Sequence, residues 1–179
     1  MSHVVTGEQP LKRLFSALTE HTFQVDLGMA DPPLIDYLSD LLVRFSRVDV
    51  IFGIRNAVGR RLEEVADMLL EADQRIERPK REIHRHIGDF TLFWVGVYPE
   101  ALERLRSWER KDSLLDYCEQ GKRSYYIAST ISDDEHRDEA SVLRRLSDQF
   151  ELCTVGLNRV RREWQRLPQE LSGETLPND

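Results

Sequence analysis

The sequence predicts an all-α protein, a single bundle of five to seven helices with a long, heptad-patterned C-terminal helix. Apolar residues recur at spacings of three and four along most of the chain, and residues that cap helices precede several of these segments. The 179 residues suit one domain, which we expect to span residues 6–167. Residues 1–5 and 168–179 are then expected to form flexible tails.

Three helices are predicted in the N-terminal half of the chain. Thr6 begins a capping box for the first helix, and Gly28 ends it. Asp31 caps the second helix, which carries Pro32 in its first turn, and Asn56 caps the third. Their predicted apolar faces are Leu11, Leu14, Leu18 and Val25; Leu34, Leu38, Leu41, Phe45, Val48 and Phe52; and Val58, Leu62, Val65, Leu69, Ala72 and Ile76.

The fourth predicted helix is the central one. It opens at Pro79 and runs to about Val97, and its C-terminal half is apolar on both sides. Gly88 and Gly96 would allow a neighbouring helix to approach closely. Pro99 is expected to cause a kink or a new helix start, followed by a short helix, and another helix follows Asp112 or Ser113. These two carry Leu102, Leu105 and Trp108, and Leu114, Cys118, Gly121, Tyr125 and Ala128.

The last predicted helix carries the longest regular pattern. A capping box opens it at Ser132, and Pro168 ends it after Leu167. Its apolar seam has alternating spacings of three and four: Leu143, Leu146, Phe150, Cys153, Leu157, Val160, Trp164 and Leu167. We expect the seam to pack along its own bundle, and an intermolecular coiled coil is the alternative.

Composition and charge exclude several classes of protein. The formal net charge is −7, so binding to nucleic acid is not expected. The two cysteines form no CxxC motif, which argues against a zinc finger and a disulfide scaffold. The N-terminus lacks a signal-peptide pattern, and the longest apolar stretch, residues 90–98, is too short to span a membrane. We therefore expect a cytoplasmic protein.

One constellation on the fourth helix could hold a divalent metal. Glu82, His86 and Asp89 follow one another at i, i+4 and i+7 and share an arc with the apolar sector, so His86 faces inward. Such a group could also poise an imidazole as a general base. The alternative is a core histidine with flanking ion pairs.

Asp49 and His21 are possible partners of this group. Both occupy positions in apolar rows, where a carboxylate is either paired, for example with an arginine, or has a raised pKa. Whether they converge with His86 is left open, and an internal ion-pair network is the alternative. The sequence contains no Glu-x-x-His, HExxH, Walker A or GxSxG motif. We therefore predict no catalytic residue and no resident cofactor beyond that possible metal, and we lean against an enzyme.

Three strings carry a resemblance to a known group of proteins. They are HRHIGDFTLFWVGVYPEAL (84–102), KRSYYIAS (122–129) and RRLSDQFELCTVGLNRVRREW (144–164). The chain resembles a family of small all-helical bacterial proteins of unassigned function over roughly residues 10–167. The resemblance implies a cytoplasmic helical domain and no particular activity.

We expect a non-enzymatic interaction or regulatory module that acts through helix packing, with a protein partner or by self-association. The first alternative is a metal- or small-ligand-binding bundle that uses inward-facing carboxylates and histidines. The second is an anion or nucleic-acid binder, because arginines cluster near Arg123 and again at Arg159, Arg161, Arg162 and Arg166.

Overall fold

The computed structural model describes residues 8–131 and 133–173, and within these ranges the chain has nine α-helices and no strand. The helices are α1 (Glu8–His21), α2 (Pro32–Arg44), α3 (Val48–Ile51), α4 (Val65–Asp73), α5 (Glu77–Gly96), α6 (Leu102–Leu105), α7 (Tyr117–Thr130), α8 (Arg137–Asp148) and α9 (Phe150–Gly173). A π-helical turn (Thr22–Asp26) extends α1, and 3₁₀ turns precede α6, α7 and α8. The predicted all-α class is confirmed, but the count of five to seven helices is too low, because α3 is a separate short helix and the predicted C-terminal helix is divided into α8 and α9. None of these helices has the length and apolar character that crossing a bilayer requires.

The central helix is α5, which packs against α2, α4, α7 and α9. Its two glycines lie where neighbouring helices come closest. A Cβ on Gly88 would lie 2.5 Å from Cδ1 of Tyr125 on α7, and a Cβ on Gly96 would lie 3.1 Å from Cβ of Leu157 on α9. Because protein interiors are close-packed, a larger residue at Gly88 would push the tyrosine ring away.

The boundary predicted between the first and second helices agrees with the structure. Gly28 has a φ of +64°, in the left-handed region that favours glycine, and follows the π-helical turn. Asp31 caps α2, because its Oδ1 accepts the amide of Leu34 at 3.3 Å, and Pro32 occupies the first turn. The capping box predicted from Thr6 lies outside the described residues.

The predictions for the segment that follows α2 are wrong. The second helix ends at Arg44, so its predicted continuous stripe is interrupted. Asn56 caps no helix, because its Oδ1 accepts the amides of Val58 and Arg60 and closes a turn in the loop before α4. A side chain that satisfies nearby amides in this way competes with helix formation.

Six apolar residues that the spacing places on buried faces are exposed. They lie in loops, in short turns or at helix ends: Val25, Val48, Val58, Ile76, Trp108 and Leu114. A spacing of three and four places residues on one face only while the backbone stays helical. The extra breaks between helices therefore explain these errors.

The predicted C-terminal helix is split in two. Helices α8 and α9 meet at Gln149, whose φ of −115° and ψ of 25° leave the helical region. Helix α9 continues past the predicted end at Leu167, with Pro168 inside it. A proline removes one hydrogen bond and can bend a helix without ending it. The cap predicted from Ser132 lies outside the described residues.

The apolar seam of α8 and α9 packs inside the chain itself. Its first six residues are at most 1% exposed: Leu143, Leu146, Phe150, Cys153, Leu157 and Val160. Further along, the half-buried Trp164 packs against Phe15 of α1. The seam is therefore covered within one chain, and any self-association would use another surface.

The N-terminus of α4 is capped by a residue distant in sequence. Oδ2 of Asp112 accepts the amide of Val65 at 2.9 Å, and its Oδ1 accepts the amide of Ala66 at 2.8 Å. The hydroxyl of Tyr117 donates to the same Oδ2 at 2.5 Å. This buried carboxylate therefore holds the segment before α7 against the first turn of α4.

Candidate functional site

The residues predicted as a metal site on α5 have separate partners. Arg81 donates from Nη1 to Oε1 of Glu82 at 2.6 Å. His86 donates from Nε2 to the carbonyl oxygen of Ile51 at 2.9 Å. The possible ligand atoms of Glu82, His86 and Asp89 do not all lie within 4.8 Å of one another. Metal binding by these three residues stays a prediction from the sequence. Among the described residues, their side chains are not arranged as a set of metal ligands.

The two suggested partners of that site lie at the surface. His21 is the last residue of α1 and is exposed. Asp49 accepts hydrogen bonds from Arg47 at 3.2 and 3.0 Å, and these bonds lower the pKa of its carboxyl. The pairing with an arginine is one of the outcomes expected for Asp49. The prediction that Asp49 lies in a buried apolar row is wrong. Helix α2 ends before Asp49, so the helical register of its apolar residues does not continue to this position.

The carboxylate of Asp89 is buried and fully hydrogen-bonded. Its Oδ1 accepts the hydroxyls of Tyr37 and Tyr125, each at 2.7 Å, and its Oδ2 accepts Nη1 of Arg44 at 3.0 Å. Burial, with a further contribution from Asp89, raises the pKa of both tyrosines well above the usual value. Both phenols therefore stay protonated donors. This network joins α2, α5 and α7 and uses both oxygens of Asp89 for the fold.

A second network of charges joins α5 to the first turn of α8. Arg81, which is 1% exposed, donates from Nη2 to Oε2 of Glu139 at 2.5 Å. Arg85 donates from Nη1 to the other oxygen, Oε1, at 2.7 Å. Burial alone would raise the pKa of Glu139, but the two arginines lower it overall. Each carboxylate oxygen has a cationic partner, so this network also stabilises the fold.

The histidine buried most deeply on α5 is His84. Its Nδ1 lies 3.3 Å from Oγ of Ser124, which also accepts Nε2 of Gln120 at 3.0 Å. Burial lowers the pKa of His84 to about 4, so the imidazole is neutral at neutral pH. Ser124 is itself fully buried and out of reach of a substrate. The pair therefore does not form a nucleophile and its base.

Asp133, Glu135 and His136 are the one set of possible metal ligands that the described residues bring together. They lie at the 3₁₀ turn before α8. Nδ1 of His136 lies 2.6 Å from Oδ1 of Asp133, and Oε2 of Glu135 lies 3.9 Å from Arg78. All three side chains therefore already have protein partners, since Asp133 caps the turn and pairs with His136, and Glu135 lies near Arg78.

An aromatic pocket lies where α1, α2, α5 and α9 meet. Its volume is about 410 Å³. Six aromatic side chains line it: Phe15, Phe45, Phe93, Trp94, Tyr98 and Trp164. The remaining lining is aliphatic apart from Ser46, and none of it is charged. Ser46 is the one exposed residue of this lining, so it marks the mouth of the pocket.

Contacts between rings fix the walls of the aromatic pocket. The ring of Phe93 packs edge-on against Phe45, Trp94 and Tyr98, with centroids 5.2, 5.2 and 5.6 Å apart. The guanidinium of Arg161 lies over Tyr98, 4.4 Å from the ring centroid, and donates to the carbonyl oxygen of Val97 at 2.7 Å. This arginine holds Tyr98 in place by a cation–π contact.

One residue that lines the aromatic pocket has a polar atom without a partner among the described residues. The indole Nε1–H of Trp94 is buried, and no acceptor lies within hydrogen-bond distance among the described residues. An indole can only donate, and a buried donor without an acceptor costs about 1–3 kcal/mol.

A larger hollow of about 780 Å³ lies between α1, α2 and α8, and most of its lining residues are polar or charged. Its charged lining residues are largely engaged in ion pairs. Lys12 lies 3.9 Å from Asp40, and Arg145 lies 2.6 Å from Asp31. No buried side-chain atom of its lining lacks a partner. This hollow is therefore a weaker candidate for a ligand-binding site than the aromatic pocket.

The aromatic pocket could not be identified as a site from the sequence. Trp164 lies on the predicted seam, where its ring is expected to pack along the bundle, and no motif marks Phe93 or Trp94. The one local signal is the density of rings where α5 ends, since Phe93, Trp94 and Tyr98 lie within six residues. No protein-family model, no curated protein and no solved structure matches this chain. Its function is therefore argued from the geometry of its own residues.

Proposed function

We propose that the protein is a non-enzymatic binding module whose aromatic pocket takes a small, flat, apolar molecule that carries an oxygen acceptor. The observation that carries this proposal is a pocket of about 410 Å³ lined by six aromatic side chains, one of which, Trp94, has an indole N–H without an acceptor among the described residues. Pockets that bind small molecules are mostly apolar, hold a few polar groups that orient the ligand, and measure about 300–1,000 Å³. The aromatic pocket has the volume and the apolar lining of such a site, and these two properties support the proposal.

The lining favours a neutral and flat ligand. Aromatic walls stack well against the faces and edges of another ring system. A charged ligand would lose its hydration without gaining a counter-charge, because no lining residue is charged. A carbonyl oxygen is the simplest neutral acceptor for the indole N–H of Trp94. The proposed ligand class is therefore aromatic or conjugated carbonyl compounds.

The polar groups of the lining support binding and not catalysis. Oγ of Ser46 donates to the carbonyl oxygen of Val43 at 2.6 Å, and no histidine, carboxylate or amine lines the pocket beside it. Nucleophilic catalysis by a hydroxyl needs an adjacent base. A regulatory role, in which the ligand stabilises one state of the bundle, fits this lining better than a chemical step.

A fluorescence titration tests this proposal. N-phenylnaphthylamine is a flat probe whose emission rises in an apolar site, and we expect saturable binding of one molecule per chain. A Ser46→Trp variant should block the mouth and abolish the signal. Thr130→Trp is a matched control, because Thr130 is also an exposed hydroxyl at a helix end that donates to the carbonyl three residues before it. Unsaturable binding, or an equal loss in both variants, contradicts the proposal.

We further propose a reducing, cytoplasmic location. Cys118 and Cys153 are both free thiols, and disulfides persist mainly in oxidising compartments. Burial raises the pKa of Cys153 to about 12, which keeps it a thiol. Fractionation of cells that express the chain tests the location, and recovery outside the cytoplasm would contradict it.

A further inference from the structure

Helix α9 carries a second regular row of residues, on the side away from the buried seam. The row consists of Leu152, Val155, Arg159 and Arg162, with spacings of three, four and three, and we call it the outer face of α9. Leu152 and Val155 are 38% and 47% exposed, although both are large apolar residues. The two arginines, one and two turns further along, are exposed too.

The arginines of the outer face differ from their neighbours on the same helix. Arg161 pairs with Glu100 through Nη1 at 2.8 Å, and Arg166 pairs with Glu163 at 3.1 Å. Arg159 and Arg162 have no acidic partner among the described residues. In a chain with a formal net charge of −7, two adjacent arginines without a counter-charge form a local cationic patch.

The outer face borders a hollow that has no acidic lining. This hollow, of about 430 Å³, lies between the end of α5 and α9. Val95, Pro99 and Val155 supply its apolar surface, and Arg159 and Arg162 supply its charge. It therefore offers an apolar end and a cationic end along one helix.

We infer that the outer face of α9 docks an acidic amphipathic helix of a partner protein. Apolar residues of that helix would cover Leu152 and Val155. Two of its carboxylates, three or four residues apart, would then lie over Arg159 and Arg162, because arginine pairs bidentately with carboxylates. This inference rests on surface residues outside the aromatic pocket and is independent of the proposed ligand.

The same row argues against a second copy of this chain as the occupant. If two outer faces paired in parallel, each arginine would meet the same arginine of the other copy. If they paired antiparallel, Arg159 would meet Val155 and Arg162 would meet Leu152. Neither arrangement places an acidic residue of the row opposite an arginine, because the row contains none, whereas the carboxylates of an acidic helix would lie directly over the arginines. The exposed apolar half of the row also argues against a nucleic-acid backbone, which is contacted mainly through charge.

Fluorescence anisotropy with a synthetic helix tests the inference. The probe is a labelled helical peptide of about four turns, with two leucines followed one turn later by two glutamates on one face. We expect saturable binding to the full chain that weakens as salt rises. The double variant Arg159→Glu/Arg162→Glu should weaken binding roughly tenfold or more. A peptide with lysines in place of the glutamates should bind this variant and not the original chain.

The matched control is Arg13→Glu/Arg123→Glu, which reverses two other exposed arginines that have no acidic partner among the described residues. Its affinity for the glutamate peptide should stay within about twofold of the original chain, since the charge change is the same and the site differs. Equal weakening in both double variants would overturn the inference, because net charge alone would then explain binding. The inference also fails if no peptide binds, if duplex DNA binds through the same arginines, or if Arg159→Glu/Arg162→Glu abolishes a dimer seen in sedimentation.

Discussion

The ring of Trp164 stands edge-on to the ring of Phe15, with centroids 5.2 Å apart and ring planes at 85°. This contact joins the last helix of the described chain to the first. Both rings also line the aromatic pocket, so one wall depends on residues that are far apart in sequence. The pocket therefore exists only in the folded chain, and a ligand that occupies it stabilises the fold by mass action.

Removing this wall should weaken both the fold and the pocket. We expect Trp164→Ala to lower the free energy of unfolding by about 2–4 kcal/mol, because it deletes a half-buried aromatic contact. It should also abolish saturable binding of N-phenylnaphthylamine. Urea unfolding and the fluorescence titration measure the two effects. Trp108→Ala is the control, since Trp108 is 85% exposed and should change the stability by less than about 0.5 kcal/mol.

The buried network around Asp89 should be essential for stability. Asp89→Ala leaves Arg44 and two buried phenols without their common acceptor, and we expect a loss of about 3–5 kcal/mol in the free energy of unfolding. Asp36→Ala on α2 is the control, because Asp36 is exposed and should tolerate the change. Equal urea midpoints for the two variants would show that the network contributes no net stability.

The distant cap of α4 predicts a local effect in hydrogen exchange. Asp112→Ala removes the acceptor of two amides at the start of α4 and of the Tyr117 hydroxyl, so we expect a loss of about 2–3 kcal/mol. The amides of Val65 and Ala66 should then exchange faster. Asp116→Ala removes an ordinary cap from α7, where Oδ1 accepts one amide, and should cost about 1 kcal/mol. If the Val65 amide stays protected from exchange in Asp112→Ala, the carboxylate of Asp112 does not stabilise the N-terminus of α4.

The free energy of unfolding should fall as the pH falls, because His84 is buried in the folded chain. Its pKa in the folded chain is about 4, lowered mainly by burial, whereas an unfolded histidine has an ordinary value near 6.5. The unfolded chain therefore binds the proton first, and stability falls as pH falls from about 6.5 to about 4, by up to about 3 kcal/mol. Burial lowers the pKa of His86 as well, in the same direction.

Urea midpoints across this pH range measure the effect. A His84→Gln variant should show a shallower decline than the original chain. His21→Gln is the control, because it removes an exposed histidine in place of a buried one. If His84→Gln declines as steeply as the original chain, His84 does not carry the pH dependence.

Features that depend on neighbouring residues could be predicted from the sequence. The Asp31 cap with Pro32, the new start at Pro99 and the central position of α5 all follow from local chemistry and spacing, and the structure contains them. The segment after α2 could not be predicted in this way. There the Asn56 side chain forms a turn, and spacing alone does not reveal that competition.

Features that need distant residues to meet could not be predicted from one sequence. Asp112 lies 47 residues from the amide of Val65 that it caps. Asp89 sits on a predicted core arc, but nothing local identifies Tyr37, Tyr125 and Arg44 as its partners. The aromatic pocket needs four helices to converge, and each of its rings taken alone resembles an ordinary core residue.

The indole N–H of Trp94 gives the most direct test of the binding proposal. In a proton–nitrogen NMR spectrum the three tryptophans give three indole signals. Acetylnaphthalene, which carries a carbonyl acceptor, should move the Trp94 signal strongly downfield and leave the exposed Trp108 unchanged. Ethylnaphthalene, of similar shape without the acceptor, should bind without that downfield shift. If neither compound moves the Trp94 signal, or if both move it equally, the pocket is not the ligand site proposed here.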